Sequence, residues 1–353
     1  MAVKTLEGIS GYQVTQRLLD FMVSQGMSIE RVETALYSYD NGLREQNFSG
    51  QLTATGDWQF LDSFNLTSYT FSKNGTTLTE GQDYDIDPVI GKVRFKGNVS
   101  AGDTIDYSIT STRGYVDVLS PNSLTSDVIF RVETFWKSDA SVGWTQIAVG
   151  RKINNTIGIL LHPISGVAYN LAEGIKAHFF VSANRVVIVT VTGTNYALAY
   201  GGIYNPVCES STNTEPFATW GSHRTYDVFG NWSSWMEPDN SSARVFPQGS
   251  YSAYASIWCG LQGRASRATI TPNPSYFDFH YPSDDYPRLV LPVIISPENN
   301  VDSCCIGELP GMFSFPDIWG GETKATDSDG QVFYIFPDVT RTSPHDFFAV
   351  IDV

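Results

Sequence analysis

Imidazole moves protons and binds metals near neutral pH, so His162, His178, His223, His280 and His345 are the first residues to test for chemistry. No two of them stand at the spacing of a zinc site, and none of Cys208, Cys259, Cys304 and Cys305 belongs to a C-x-x-C pair. Cys304 and Cys305 are chain neighbours, so bridging them would strain the peptide between them. A disulfide would have to reach Cys208, Cys259 or another copy, and buried free thiols are the simpler expectation. Asp327-Ser328-Asp329-Gly330 resembles part of a calcium loop, but Ala325 occupies a carboxylate position and no Glu closes the loop, so it reads as an acidic turn before a strand over 331–336. Asp284 and Asp285 have the residue type of a glycosidase pair, yet adjacent residues of an extended chain point to opposite sides. A nucleophile elbow, an H-E-x-x-H helix, a P-loop and a dinucleotide glycine pattern are all missing from the sequence. No catalytic residue, metal or cofactor is nominated, and the chain reads as a non-enzyme. What remains is a set of aromatics, Trp220, Trp232, Trp235, Tyr251 and Trp258, spread among Gly, Ser, Asn and Pro over 208–263. Such rings stack on sugars or anchor subunit contacts, and the contact reading is preferred because interfaces are enriched in the same residues.

Composition narrows the classes further. The chain has 353 residues with 37 acidic and 22 basic side chains, a net charge of -15 that repels phosphate backbones and argues against a nucleic-acid partner. Charged residues reach only 17% while aromatics reach 13%, a balance that disfavours disorder and coiled coil and favours a turn-rich β protein. Lys4, Glu7, Arg17 and Asp20 interrupt the apolar pattern of the first 25 residues, so no signal peptide is expected. No apolar run approaches the ~20 residues of a membrane span.

The elements that would hold these residues follow from periodicity. Ile9, Val14, Leu18, Phe21 and Met22, with Leu19 beside them, recur at helical spacing between Ser10 and Gln25, and Gly26 stands where a helix stops. Ser10 with Gln13 has the form of a capping box. The segment over 28–34 is read as a further turn, and the helix is expected to pack on its own domain. From Asn41-Gly42 onward the pattern alternates. Asn74-Gly75 is the sequence most favoured for a two-residue hairpin turn, and strands are expected over 84–87, 92–95 and 104–109. Gly114, Pro121 and Asn122 mark 113–126 as a boundary. Beyond it, 128–132, 157–161 and 185–191 are β-branched runs short and apolar enough for buried strands, whereas 208–263 reads as long loops. The expected fold is mainly β: a short amino-terminal helix with a small antiparallel β module over 1–115, then a larger β-sandwich-like domain over 116–353 with long aromatic-rich loops.

Two regions carry a resemblance. Asn74-Gly75-Thr76-Thr77-Leu78-Thr79-Glu80-Gly81-Gln82-Asp83-Tyr84-Asp85-Ile86-Asp87, continuing through Gly91-Lys92-Val93-Arg94-Phe95 to Ala101-Gly102-Asp103-Thr104-Ile105, resembles the small β module of tailed-bacteriophage tail, baseplate and fibre proteins. Ser182-Ala183-Asn184-Arg185-Val186-Val187-Ile188-Val189, Tyr200-Gly201-Gly202-Ile203-Tyr204-Asn205-Pro206, Gly307-Glu308-Leu309-Pro310-Gly311 and Asp346-Phe347-Phe348-Ala349 are similar to segments of phage and prophage virion structural proteins, as is the helix over 12–26. The resemblance implies a tail, baseplate or neck subunit, assembled in the bacterial cytoplasm into the virion. Its partners would be other tail, baseplate or neck proteins and further copies of itself, in a multiple of three or six, with the 1–115 domain docking on the particle. A host-surface carbohydrate-binding adhesin, its aromatic loops holding glycan, is the alternative.

Overall fold

The computed structural model describes residues 2–34, 45–112, 114–121, 128–136, 142–153, 156–158, 165–171, 173–193, 195–206, 215–221, 223–224, 242–246, 253–259, 291–297, 307–316, 322–326, 329–337 and 346–351. The β-branched run Arg185–Thr192 is a strand buried on both faces because its alternate residues enter two different cores. Val186 and Ile188 join one core, Val187 and Val189 the other. The flanking strands divide the same way: Ile175, Ala177 and Phe179 against Phe180 in Gly174–Ser182, and Ala197 and Ala199 against Leu198 and Tyr200 in Asn195–Ile203.

These strands belong to a long antiparallel sheet. Its order is Ala2–Ser10, Gly174–Ser182, Arg185–Thr192, Asn195–Ile203, Glu215–Gly221, Ser242–Phe246, Ala253–Cys259, Leu291–Pro297, Gly307–Pro316, Asp346–Ile351, Val332–Pro337, Thr323–Thr326. The sheet curls back on itself, so Phe180 from its first part meets Phe336 from its last with ring centroids 6.3 Å apart, and the second core fills the space between. Across the opposite face lies a second antiparallel sheet, Ser28–Thr34, Gly114–Ser120, Val128–Trp136, Val142–Ile153, Ser165–Asn170, His223–Arg224, with Thr156–Gly158 beside Val142–Ile153. The first core lies between the two sheets and takes in the helix Val14–Ser24 through Val14, Leu18, Leu19, Phe21 and Met22. A buried hydroxyl chain ties the helix to the second sheet: Thr15 Oγ1 to Thr145 Oγ1 and Thr145 Oγ1 to the Tyr169 hydroxyl are each 2.8 Å. Burial pushes the Tyr169 phenol up to about 12, so it stays a neutral member of that chain.

Residues 45–112 form a smaller unit of two sheets. Glu45–Thr53, Thr104–Thr112, Leu66–Lys73 and Thr76–Thr77 make one; Gln59–Phe60, Lys92–Phe95 and Tyr84–Asp87 make the other. Phe71, Tyr84, Val93, Phe95, Ile105 and Ile109 fill the core between them. Asn74 (φ 52°) and Gly75 (φ 76°) supply the two positive φ angles of a type I′ turn between Leu66–Lys73 and Thr76–Thr77.

The mainly β reading with one short amino-terminal helix and several antiparallel sheets holds, with differences in detail. Ser28–Thr34 is a strand, not a turn. Its pairing steps from Asp117↔Arg31 to Val118↔Ile29, so Glu30 is a bulge, which is why core-facing Ile29 and Val32 sit three apart and hide the two-residue period. The segment read as a boundary holds the strand Gly114–Ser120, in which Val116 and Val118 enter the first core; Asp117 between them lies on the other face, where its carboxylate is fully buried and paired in two places with Arg131, Nε to Oδ1 at 2.6 Å and Nη2 to Oδ2 at 2.8 Å. Ala2–Ser10 pairs with Gly174–Ser182 and Ser28–Thr34 pairs with Gly114–Ser120, so residues 45–112 stand in the chain between two strands that are themselves hydrogen-bonded. Within 208–263, read as loops, Glu215–Gly221, Ser242–Phe246 and Ala253–Cys259 are strands.

Candidate functional site

Of the aromatics singled out by sequence, Trp220 lies in Glu215–Gly221 at the register position of Tyr200, and Trp258 lies in Ala253–Cys259 opposite Ile294. One strand, Ser242–Phe246, separates theirs in the long sheet. Trp232, Trp235 and Tyr251 lie outside the described residues, as do Asp284, Asp285, Asp327, Cys208, Cys304 and Cys305. Among the described residues no group of three or more His, Cys, Asp or Glu side chains stands close enough to hold a metal ion. No described helix is long and apolar enough to cross a membrane.

His178 is buried with Nδ1 2.9 Å from Thr5 Oγ1 and Nε2 3.3 Å from Glu322 Oε1, and its ring meets the Phe336 ring edge-on at 5.0 Å. Lys176 reaches both Glu322, at 3.0 Å, and Glu7, at 3.2 Å. These side chains link the first strands of the curled sheet to its last. Burial pulls the His178 pKa below its ordinary value against the opposing effect of Glu322, so the ring is neutral at pH 7.

The segments that carry the virion resemblance meet at a buried arginine. Arg185 donates to the backbone carbonyls of Pro310 and, at 2.9 Å, Ile351. Gly202 and Gly311 lie against it, and a Cβ at Gly311 would collide with the guanidinium. Asn205 pairs with Glu308, and the Ile203 amide donates to the Asn184 carbonyl at 2.9 Å. The glycines of those segments are therefore room for an arginine that fastens strands far apart in sequence.

A surface suited to contact lies instead on the small unit. Trp58 is 40% exposed, the most exposed large apolar side chain among the described residues. Lys92 Nζ and Arg94 Cζ stand 5.3 and 5.2 Å from its ring centroid. The short strand Gln59–Phe60 pairs with Lys92–Phe95, so Phe60 is at the register position of Lys92. Alternation puts Lys92, Arg94 and Lys96 on one face while Val93 and Phe95 enter the core. Asp85 answers two of these cations, Arg94 at 2.9 Å and Lys96 at 2.5 Å, and those bonds, the Lys96 one foremost, hold its carboxyl below the usual range.

The helix holds the other end of this face. Asp20 pairs with Lys92 at 2.8 Å, and the Arg17 guanidinium carbon lies 3.6 Å from the Phe60 ring centroid. One turn earlier, Gln16 Nε2 donates to the Ser63 carbonyl and, at 3.1 Å, to the Gly91 carbonyl. Gly91 has φ +74°, and a Cβ there would run into the Ser63 carbonyl. Gln16, Arg17 and Asp20 thus form a helical stripe at i, i+1 and i+4 that docks the small unit, while the apolar stripe docks the large one. The sequence reading, which weighed the net charge of the whole chain, missed this face. The signal was Lys92-x-Arg94-x-Lys96: three cations at strand period in an acidic chain.

No family model matches the chain, and a search of curated proteins found no match.

Proposed function

We propose that this chain is a structural assembly subunit of a tailed-phage particle, in the tail, baseplate or neck, acting through contacts with partner subunits and with further copies of itself. The observation that carries the reading is the exposed Trp58 bracketed by Lys92 and Arg94, on a face of the small β unit whose far end the helix fastens through Asp20 and Arg17. Trp and Arg dominate the energetic centres of protein interfaces, and because Asp20 and Asp85 already answer Lys92, Arg94 and Lys96, the ring and the cation stems supply the contact. The resemblance of 74–105 to the tail and baseplate module falls on the same unit.

The test is incorporation into particles of the W58A,R94A double variant, with its fold checked by circular dichroism. At least a tenfold lower copy number per particle is expected; unchanged incorporation would overturn the assignment of this face. The adhesin alternative takes the Trp58 ring as a platform for sugar stacking. Glycan binding lost in W58A, with incorporation intact, would favour it.

A further inference from the structure

Among the described residues, the strands that end the sheets are protected with one exception. Ala2–Ser10 carries a register shift between Leu6 and Ile9, together with Lys4 and Glu7. Ser28–Thr34 has its bulge at Glu30 and an exposed Arg31. Thr323–Thr326 and Tyr84–Asp87 are four residues long and carry Lys324 or Asp85 and Asp87, while Thr76–Thr77, Gln59–Phe60 and His223–Arg224 are two residues long. Short length, bulges and charge are the devices by which proteins keep an edge from adding another strand.

Glu45–Thr53 is neither short nor bulged, and it has no charge along its length after Glu45. It runs nine residues in unbroken register with Thr104–Thr112, from Glu45↔Thr112 to Thr53↔Thr104, and stands at the end of its sheet. It contains no Lys, Arg or Pro, its one charge is Glu45 at the end, and Asn47, Ser49, Gly50, Gln51 and Thr53 are exposed. Gln59 Nε2 donates to the Thr53 carbonyl at 2.7 Å, which marks where the open edge stops.

We propose that this edge pairs antiparallel with the same strand of a second copy, across a two-fold axis at Ser49. The occupant follows from the sequence of the strand, because a two-fold contact must be self-complementary. Centred on Ser49, the pairing sets Asn47 opposite Gln51; within each copy Asn47 Oδ1 accepts from Thr110 and Gln51 Nε2 donates to Asp106, so Asn47 Nδ2 and Gln51 Oε1, a donor and an acceptor, are the groups that meet across the axis. Glu45 falls opposite Thr53, so no like charges meet. In a chain of net charge -15, two copies approach with least repulsion along a stretch without charge. The four-stranded sheet of each copy then continues into the other. This proposal stands apart from the Trp58 face: a two-fold contact has a different symmetry from a three- or six-fold ring, and the two fail separately.

The full chain is examined by sedimentation equilibrium, alone and as S49K, which sets two lysines against each other at the axis. Cross-linking of S49C and N47C is compared under oxidation, with the unaltered chain as control for its own cysteines. Directly opposed residues have Cα atoms about 4.5 to 5.5 Å apart, within disulfide reach, whereas two copies of position 47 lie roughly 13 Å apart. The expected results are micromolar dimers of the parent chain, at least tenfold weaker association of S49K, and cross-linked dimers from S49C beyond those of N47C and the parent. A parent chain that stays monomeric, or S49C that links no better than N47C, overturns the proposal. Should S49K lose its fold, the cysteine pair still decides it.

Discussion

The small unit and the curled sheet use the same two-residue alternation to opposite ends. In Arg185–Thr192 both faces are core, so Val186 and Ile188 serve one interior while Val187 and Val189 serve the other. In Lys92–Phe95 one face is core and the other carries Lys92 and Arg94 beside Trp58. A strand buried twice contributes stability and offers nothing to a partner; a strand buried once holds a surface in place. The contact surfaces proposed above both lie on the one-sided unit for that reason.

The contrast is broken most directly in the double-sided sheet. Phe180→Ala removes a fully buried ring that packs between Tyr334 and Phe336, and a loss of about 3 to 5 kcal/mol is expected in urea unfolding. A loss below about 1 kcal/mol would mean that the second core is not closed around this ring. Gly91→Ala forces a Cβ against the Ser63 carbonyl at a positive φ, and about 1 to 3 kcal/mol should be lost where the small unit docks on the helix. Hydrogen exchange reads its location: protection should fall in 59–66 and 88–92 before it falls in 185–192.

The two regions should also answer to pH in different windows. In the small unit, Asp85 is held low by Lys96 and Arg94, Asp103 by Lys73 and the Ser100 amide, and Asp83 chiefly by the Thr79 amide. Their unfolded-state pKa is about 3.9, so their contribution is complete above that value and is lost as pH falls through the lower folded values. In the curled sheet, His178 is held neutral by burial, so the unfolded state binds the proton more readily. Stability there should decline as pH falls below about 6.5, the unfolded histidine value. His178→Gln, which keeps a partner for Thr5, should flatten the decline between about pH 6.5 and 5 while leaving the acid transition near pH 4 in place. An unchanged profile in that variant would assign the decline to another group. The smallest stability effect belongs to Trp58→Ala, below about 1 kcal/mol because the ring lies at the surface and outside the cores, and it makes the loss of incorporation readable as a contact effect.

Local signals were legible in the sequence and distant ones were not. Asn74-Gly75 specified its turn because only a few residues tolerate two consecutive positive φ angles, and the stop at Gly26 (φ +86°) ended the helix where expected. The helix cap differs in detail: the Ser10 side chain accepts from the Tyr12 amide at 3.3 Å, and a short 3-10 turn over Gly11–Gln13 precedes the α-helix. The pairing of Ala2–Ser10 with Gly174–Ser182 left no local trace, since strand partners across some 170 residues are chosen by tertiary packing. Ser28–Thr34 was obscured by a bulge, which breaks a period without breaking the strand, while in Gly114–Ser120 the Val116-x-Val118 alternation was present but short and flanked by the turn residues Gly114 and Pro121. The Trp58 face was present in the sequence as alternating cations, but its meaning needed the strand to be known first.

The central claim is that the chain is a stoichiometric subunit of a particle. Quantitative mass spectrometry of gradient-purified particles, comparing its copy number with that of the major capsid protein, tests this most directly. A fixed ratio equal to a small multiple of three or six copies per particle is predicted. Absence from purified particles would contradict the account.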